Sequence, residues 1–517
     1  MLLRTCAVLL VTSAVARAEE DGGSSMLIEE FTPVAAPEPF DAGSGTEAFA
    51  PVVESFGAPA PVGPTARVYG HVLGLGSIDT RFDSPPKVDM AENVAELRLK
   101  GMLGVDVKVT DRIRLVLEGR AQVRGVTTRD FDRVKGFFDP MLGDAYLDLY
   151  TSKVDIRIGN QRIGMGANAG IAPADALNPR DLRESFGSTT DPEDALLPVF
   201  AIRALGEIGR VSVTAAYVPF FMPHRYFVFG QDEALLQPGA EQTVENRRID
   251  PSIEDYIQER ILETKRPPPF LGDLALRAVT TGDWKIGASW VWMNEKLPRV
   301  TVDPELSALM RSRSAGRPVS PAVAASVSNR IEAGEQLYTG EYWRQHLFSL
   351  ELSRLIGPGQ LDVDVTFSPR QTFFDASFTP INKASLSWVI GYSQATDSPL
   401  TWGVTYFGMA VPGVGAGEQL FLLEPATAVG ADRIAWLHLV AGFIGYPFFD
   451  KKLDVSLRAA FEVVQRSFAL APRVTWKGFD NLELWVAAEF QEGSPYSPFG
   501  YFSRNDKIFV GARYVLF

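Results

Sequence analysis

Residues 94–124 read VAELRLKGMLGVDVKVTDRIRLVLEGRAQVR, and the spacing inside this stretch decides the fold. Between Val94 and Val109 one parity carries Glu96, Arg98, Lys100, Asp106 and Lys108, while the other carries Ala95, Leu97, Leu99, Leu103, Val105 and Val107. A period of two is that of a β-strand with one wet and one greasy face. After Thr110-Asp111-Arg112 the alternation returns, with Arg114, Glu118, Arg120, Gln122 and Arg124 set against Ile113, Leu115, Leu117, Ala121 and Val123. The two runs make a hairpin. Each is longer than an ordinary strand of ~5–6 residues and reaches the ~9–11 that a tilted strand needs to cross a bilayer. Charges at alternate positions are costly in a dry core and suit a water-filled lumen.

Working outward, the same pattern gives about eighteen candidate strands between residues 66 and 517, among them 66–79, 92–109, 111–125, 143–151, 339–356, 383–394 and 504–517. Tight turns at Lys108–Arg112, Tyr150–Val154, Gly206–Gly209, Thr281–Trp284, Gly357–Gly359, Thr396–Pro399, Phe448–Lys451 and Lys477–Asn481 each follow an even-numbered strand. Longer connections, 163–197, 220–271, 296–338 and 412–431, follow odd ones, with the short turn at 466 as the exception. This asymmetry is that of an all-β, transmembrane antiparallel barrel of about 18 strands, with short periplasmic turns and long outer loops. Such a barrel places both termini in the periplasm.

The chain has 517 residues, a formal net charge of −13 and 46% hydrophobic residues. Its mean hydropathy of +0.01 fits a barrel in which only alternate residues meet lipid. The negative charge argues against a nucleic-acid partner. Arg4, the apolar run 7–11 and Ala16-Arg17-Ala18 read as a signal peptide over 1–18, so export is expected. The single cysteine, Cys6, lies inside it, leaving the mature chain without a thiol, disulfide or thiolate metal site. Residues 19–65, rich in Pro, Ala, Gly and Glu, read as a disordered periplasmic leader. The barrel then occupies 66–517.

Two loop helices are expected from Asp303-Pro304-Glu305 and Ser320-Pro321, and a third from Ser252-Ile253-Glu254-Asp255 to about Thr264, because each opens with a cap signature. Trp284, Trp290, Trp292, Trp388, Trp402, Tyr406, Trp436 and Trp485 lie near strand ends and are expected among headgroups.

The segment Arg157-Ile158-Gly159-Asn160-Gln161-Arg162-Ile163-Gly164, followed by Pro173-Ala174-Asp175-Ala176-Leu177-Asn178-Pro179-Arg180-Asp181-Leu182-Arg183, resembles a stretch found in large proteobacterial outer-membrane β-barrels of porin-like and alginate-export-like type. Met165-Gly166 stands where that group has Trp-Gly. The resemblance implies a loop, 163–197, that folds into the pore. Asp175, Asn178, Arg180, Asp181 and Arg183 are the candidate constriction residues, and a structural latch holding the loop to the wall is the rival role.

Inward parity supplies candidate pore-lining residues. The first third offers Arg98, Lys100, Arg114, Glu118, Arg120, Arg124, Arg157 and Arg203; later strands offer Asp362, Asp364, Arg458, Glu462, Glu483 and Glu489. A mixed-to-basic wall facing an acidic one would screen solutes with a transverse field. That mixture differs from the uniformly positive tunnel suited to an anionic polysaccharide, so alginate is not carried over as a substrate.

His71, His224, His346 and His438 are far apart, and no hydrolase elbow, phosphate loop or calcium loop is present, so an enzyme, a cofactor or a metal is not expected. The expectation is a porin-like channel of the Gram-negative outer membrane, passing polar solutes or exporting a polymer. The alternative is a barrel anchor in an envelope-spanning secretion or motility complex. Its partners would be outer-membrane lipid, the barrel-assembly machinery acting through the terminal Phe517, and, in the anchor role, periplasmic or envelope proteins.

Overall fold

The structure, a computed structural model, describes residues 64–80, 93–128, 134–168, 171–183, 195–226, 265–314, 320–374, 380–394, 398–415, 418, 420, 422–423, 427–429, 432–494, 497–503 and 505–516. The signal peptide and leader, the helix expected from Ser252 and the terminal Phe517 lie outside these residues.

The first half contributes β1 (Thr65–Asp79), β2 (Asn93–Thr110), β3 (Ile113–Thr128), β4 (Val134–Leu149), β5 (Val154–Gln161), β6 (Val199–Ile208), β7 (Val211–Val218), β8 (Asp273–Thr280) and β9 (Lys285–Asn294). A small appendage follows: β10 (Arg299–Val302), helices α1 (Pro304–Ser314) and α2 (Pro321–Glu332), and β11 (Tyr338–Glu341). The second half contributes β12 (Arg344–Ile356), β13 (Gly359–Phe374), β14 (Pro380–Gln394), β15 (Thr401–Pro412), β16 (Thr427–Val429), β17 (Asp432–Phe448), β18 (Leu453–Glu462), β19 (Ser467–Phe479), β20 (Leu482–Glu492) and β21 (Lys507–Val515).

Around the ring each strand pairs antiparallel with the next, except that β9 pairs with β12, bypassing the appendage, and β15 pairs with β17. The ring closes where β1 meets β21, from His71 opposite Val515 to Asp79 opposite Lys507. With β16 only extending β17 past the end of β15, and β10–β11 a separate ladder, the ring holds 18 strands. Closure leaves no edge, which is what a bilayer demands of a sheet, since unpaired backbone groups cannot be hydrated in hydrocarbon. Among the described residues no helix is long and apolar enough to cross a membrane, and the closed ring of strands is the element that meets that demand.

The alternation has the expected sense. Leu97 is 70% exposed on the outside, while Arg98 is 2% exposed on the inside. Leu457 and Arg458 divide in the same way. Aromatic residues form two outward girdles. Near the long connections, the His346 ring lies 6.1 Å from Trp290 and 6.3 Å from Trp292, and the Tyr406 hydroxyl sits 2.7 Å from His438 Nδ1 beside Trp436. Near the tight turns, Tyr392 packs on Trp402 and Tyr446 on Phe448. Along β17, the ten steps from Trp436 to Tyr446, at ~3.4 Å each and tilted ~40°, span roughly 26 Å, the height of the apolar band of a membrane barrel. Trp485 departs from expectation. It faces inward, 3% exposed beneath Arg473, because it shares parity with Glu483 and Glu489.

Several elements differ from the sequence reading. β4 begins at Val134, nine residues before the expected 143, because the register shifts between Leu117 and Gly119 on its partner and breaks the alternation there. The expected strand 339–356 is split, its first part leaving the ring to pair with β10. Connection 412–431 contains β16. The two loop helices at 304 and 321 are present. Asp303 caps the first through N–H donors of Glu305 (2.9 Å) and Leu306 (3.4 Å), whereas Ser320 makes no side-chain cap.

Candidate functional site

The inside of the ring is where a charged solute or a docked loop must be accommodated, and its wall is chemically divided. Over β2–β5 it is a ladder of opposite charges. Glu96 holds Arg98 at 2.5 Å and Arg124 at 2.8 Å; Asp106 holds Arg114 at 2.8 Å; Glu118 holds Arg120 at 2.5 Å; Asp148 holds Arg157 at 2.6 Å. Arg98, Glu118 and Arg124 are buried, while Lys100, Arg114, Arg120, Arg157 and Arg203 are half-buried on the same inward parity.

The later acidic residues also point inward, but their oxygens are engaged locally. Asp362 accepts from Gln360 Nε2 (3.1 Å), Glu462 from the N–H of Val464 (3.1 Å) and Gln465 (2.5 Å), and Glu489 from Gln491 Nε2 (2.5 Å). Glu483 lies 3.9 Å from Lys477, and Arg458 is buried. The mixed-to-basic wall thus carries its own carboxylates, and the acidic residues of the later strands are held locally by neutral amide donors and, at Glu483, by Lys477. Alternation fixes which face a charge occupies, but neighbours on adjacent strands and turns decide whether it remains uncompensated.

Part of the inner wall beyond this ladder is dry, which the sequence reading did not anticipate. Val389, Phe407, Met409, Ala435, Leu437, Leu439 and Ala441 face inward on β14, β15 and β17 and form one buried cluster with Val414, Leu420, Leu422 and Leu423 of the connection after β15 and Phe499, Tyr501 and Phe502 of the connection after β20. Connections after β15 and β20 thus fold into the ring and fill part of it. On the outside of β17, Trp436, Val440 and Ile444 are also apolar, so this strand has no hydrophobic alternation to read.

The described residues of connection 163–197 lie in the interior between the charged and dry regions. Ile163, Met165 and Leu177 bury themselves against Val199, Ala201, Val291, Met293 and Leu347 on the wall. Polar side chains then fix its path. Asn178 Oδ1 accepts from Ile163 N–H (2.8 Å), and its Nδ2 donates to the carbonyls of Leu197 (3.0 Å) and Gln161 (3.4 Å). Asp175 Oδ1 accepts from Met165 N–H (3.1 Å). At the tip, Asp364 of β13 accepts from the N–H groups of Ala167 (2.9 Å) and Asn168 (2.8 Å) and from Asn168 Nδ2 (2.6 Å). Arg277 of β8 donates to Gly166 O (3.0 Å) while paired twice with Glu351 of β12 (2.8 and 2.7 Å). The connection leaves from β5 and is tied six strands further around the ring.

Its other half is tied to the charged wall. Arg180 bridges Leu196, Asp181 bridges Arg225, and Arg180 N–H donates to His224 Nδ1 (2.8 Å). Arg183 donates to Asp139 (2.8 Å) and Asp181 (2.5 Å), and Arg225 donates to Asp139 (2.5 Å). Burial pushes the Asp181 carboxyl up, and the Arg183 hydrogen bonds and charge outweigh it, holding the group below its ordinary range. All five candidate constriction residues are thus brought together inside the ring, and the contacts of Asp175, Asn178 and Asp181 are those of a latch. The sequence reading missed Asp139, Arg277 and Glu351. The strand parity of Arg277 and Glu351 carried the signal, since each shares the inward parity of its strand with an apolar residue, Ala275 on β8 and Leu347 on β12. Of the histidines, His71 faces inward, His224 joins the latch, and His346 and His438 lie outside in the girdle. Among the described residues no group of three or more His, Cys, Asp or Glu is placed to hold a metal.

No known protein family and no curated protein matches the sequence. Similar solved structures include OccAB1 of Acinetobacter baumannii (8% identity, 88% of this chain and 96% of that one, TM-score 0.45) and the outer membrane protein opdK of Pseudomonas aeruginosa (9%, 87% and 99%, 0.43). Salmonella typhi OmpF in complex with daunomycin is also similar (8%, 88% and 100%, 0.40). At such values these are similar outlines only, and the barrel assignment stands on the strand register of this chain.

Proposed function

We propose that the chain is a porin-like channel of the Gram-negative outer membrane, narrowed by connection 163–197 and passing small polar solutes along the charged wall. The observation that carries this reading is the inward ladder from Arg98 to Arg157, whose half-buried members Lys100, Arg114 and Arg120 retain contact with water although the opposite faces of the same strands are greasy. Charges in that position are tolerated where a hydrated path runs beside them. The tight-turn end, where β1 starts, is the periplasmic end in this reading, and the candidate pore-lining residues act as a zwitterionic surface along which polar groups exchange hydration water for alternating donors and acceptors.

The test is conductance in planar bilayers. The intact barrel is expected to give small unitary currents, and deletion of residues 173–185 to enlarge them several-fold. A barrel that seals the bilayer in both forms would end the channel reading and leave the anchor role.

A further inference from the structure

A second feature of the interior lies away from the charged ladder. Between connection 163–197 and the inner faces of β9 and β12–β15 is a cavity with about 1020 Å³ of empty space, counting its open mouth. Its apolar lining is Met293, Leu347, Phe374, Phe407 and Met409. Set into this surface are two buried polar atoms with no hydrogen-bond partner, Ser368 Oγ and Gln345 Oε1, in residues only 2% and 9% exposed. Their polar neighbours are satisfied: Thr366 donates to Ser349 (2.9 Å), and Ser385 to Gln371.

The two unmet atoms are close in the sheet. Phe348 is opposite Phe367, which sets Ser368 across from Leu347, one inward position from Gln345. β13 also shifts register between Ser368 and Gln371, a bulge that re-aims side chains out of the ladder. A buried hydroxyl and a buried amide oxygen left unmet destabilise the protein unless something supplies their hydrogen bonds.

Among the titratable groups of the lining, Lys296, Glu295 and His224 are already committed. Lys296 Nζ is held by Asp273 at 2.6 Å, the Glu295 carboxylate receives Thr372 N–H at 2.8 Å, and His224 accepts from Arg180. Burial, with the Arg180 and Lys296 charges added, keeps the His224 ring neutral.

We propose that this cavity binds an uncharged, flat aromatic solute bearing one amide or phenolic group. The ring lies on Phe407, Met409 and Leu347. The polar group donates to Gln345 Oε1 and accepts from the Ser368 hydroxyl. Site and conduction are separable, because binding needs the filled ring but no through-path. A barrel that binds and does not conduct fails the channel reading alone.

The experiment uses the full-length barrel folded in detergent, with benzamide as probe and benzoate as its charged counterpart, and reads Kd by calorimetry or ligand-observed NMR. Saturable binding of benzamide, at least tenfold weaker binding of benzoate, and about tenfold weaker benzamide binding by Ser368→Ala and by Gln345→Leu are expected, each loss corresponding to one hydrogen bond. Met409→Trp, which fills the cavity, should abolish binding. Heat-dependent gel migration checks that each variant is folded, and Ser368→Ala decides the matter if the filled variant does not fold. The proposal is overturned if benzamide shows no saturation, if Ser368→Ala binds like the parent, or if benzoate binds equally well.

Discussion

The smallest unit on which the narrowed interior depends is the carboxamide of Asn178. It satisfies one donor and two carbonyls of the chain that leaves and re-enters the wall. Asn178→Ala leaves those buried groups unmet, and a loss of about 1–3 kcal/mol follows for each group that water does not reach. Urea unfolding of the purified barrel should show a lower midpoint, and an unchanged midpoint would remove Asn178 from the latch. His224 gives the same segment a pH dependence. Its pKa is depressed well below the ordinary 6.5 by burial and then by Arg180 and Lys296, and the neutral ring is the acceptor for Arg180 N–H. A base with a depressed folded pKa contributes stability that is present above its unfolded value and is lost as pH falls from there through the folded value. Thermal stability should therefore fall between about pH 6.5 and pH 5 by more in the parent than in His224→Gln, and equal slopes would refute the assignment.

At the scale of an element, the crossing connection is held at its tip by a close approach rather than by a strand ladder. Gly166 has φ of +109°, and a Cβ there would lie 2.5 Å from Ala172 Cβ and 2.8 Å from Asp364 Oδ1. Gly166→Ala is both strained and crowded, so the tip should lift from β13. In the channel reading, unitary conductance rises or becomes noisy; conductance indistinguishable from the parent would show that the tip does not border the path. The appended helices behave differently. α1 is fixed by Asp303, whose carboxylate is also held by Arg330 of α2 (3.1 Å), so Asp303→Ala should cost roughly 1 kcal/mol locally and leave conductance unchanged. Hydrogen exchange of residues 304–314 measures the first effect, and a change in conductance would place this appendage on the path.

For the whole molecule, the controlling fact is which solvent meets each face. Leu103, 52% exposed near the middle of β2, looks outward across a band bounded by the two girdles. Leu103→Arg should lower folding stability in lipid vesicles by about 2–4 kcal/mol, the cost of a cation near the bilayer midplane. A shift below a few tenths of a kcal/mol in a urea titration would mean that this face does not meet hydrocarbon. The same comparison explains why the interior is mixed. Charged side chains stay inside where they pair with adjacent strands, as Arg114 does with Asp106, and apolar ones stay inside where a connection folds back onto them, as Phe499 and Phe502 do in the cluster that holds Leu437.

By itself the sequence determined strand number, antiparallel order, the end at which tight turns fall and the sidedness of β2 and β3, because those properties follow from a period of two and from local turn chemistry. It also marked the segments 157–164 and 173–183 and the connection 163–197 as stretches of interest. Only the tertiary structure decided what the inward residues do. The apolar interior of β14, β15 and β17 is dry because the connection after β15 and, from farther along the chain, the connection after β20 cover it, and Asp364 meets Asn168 across 196 positions of sequence. Arg277 reaches Gly166 from another strand again. Alternation is a local property of the backbone, whereas compensation of a charge or coverage of an apolar face depends on which distant segment arrives there, and no periodicity records that.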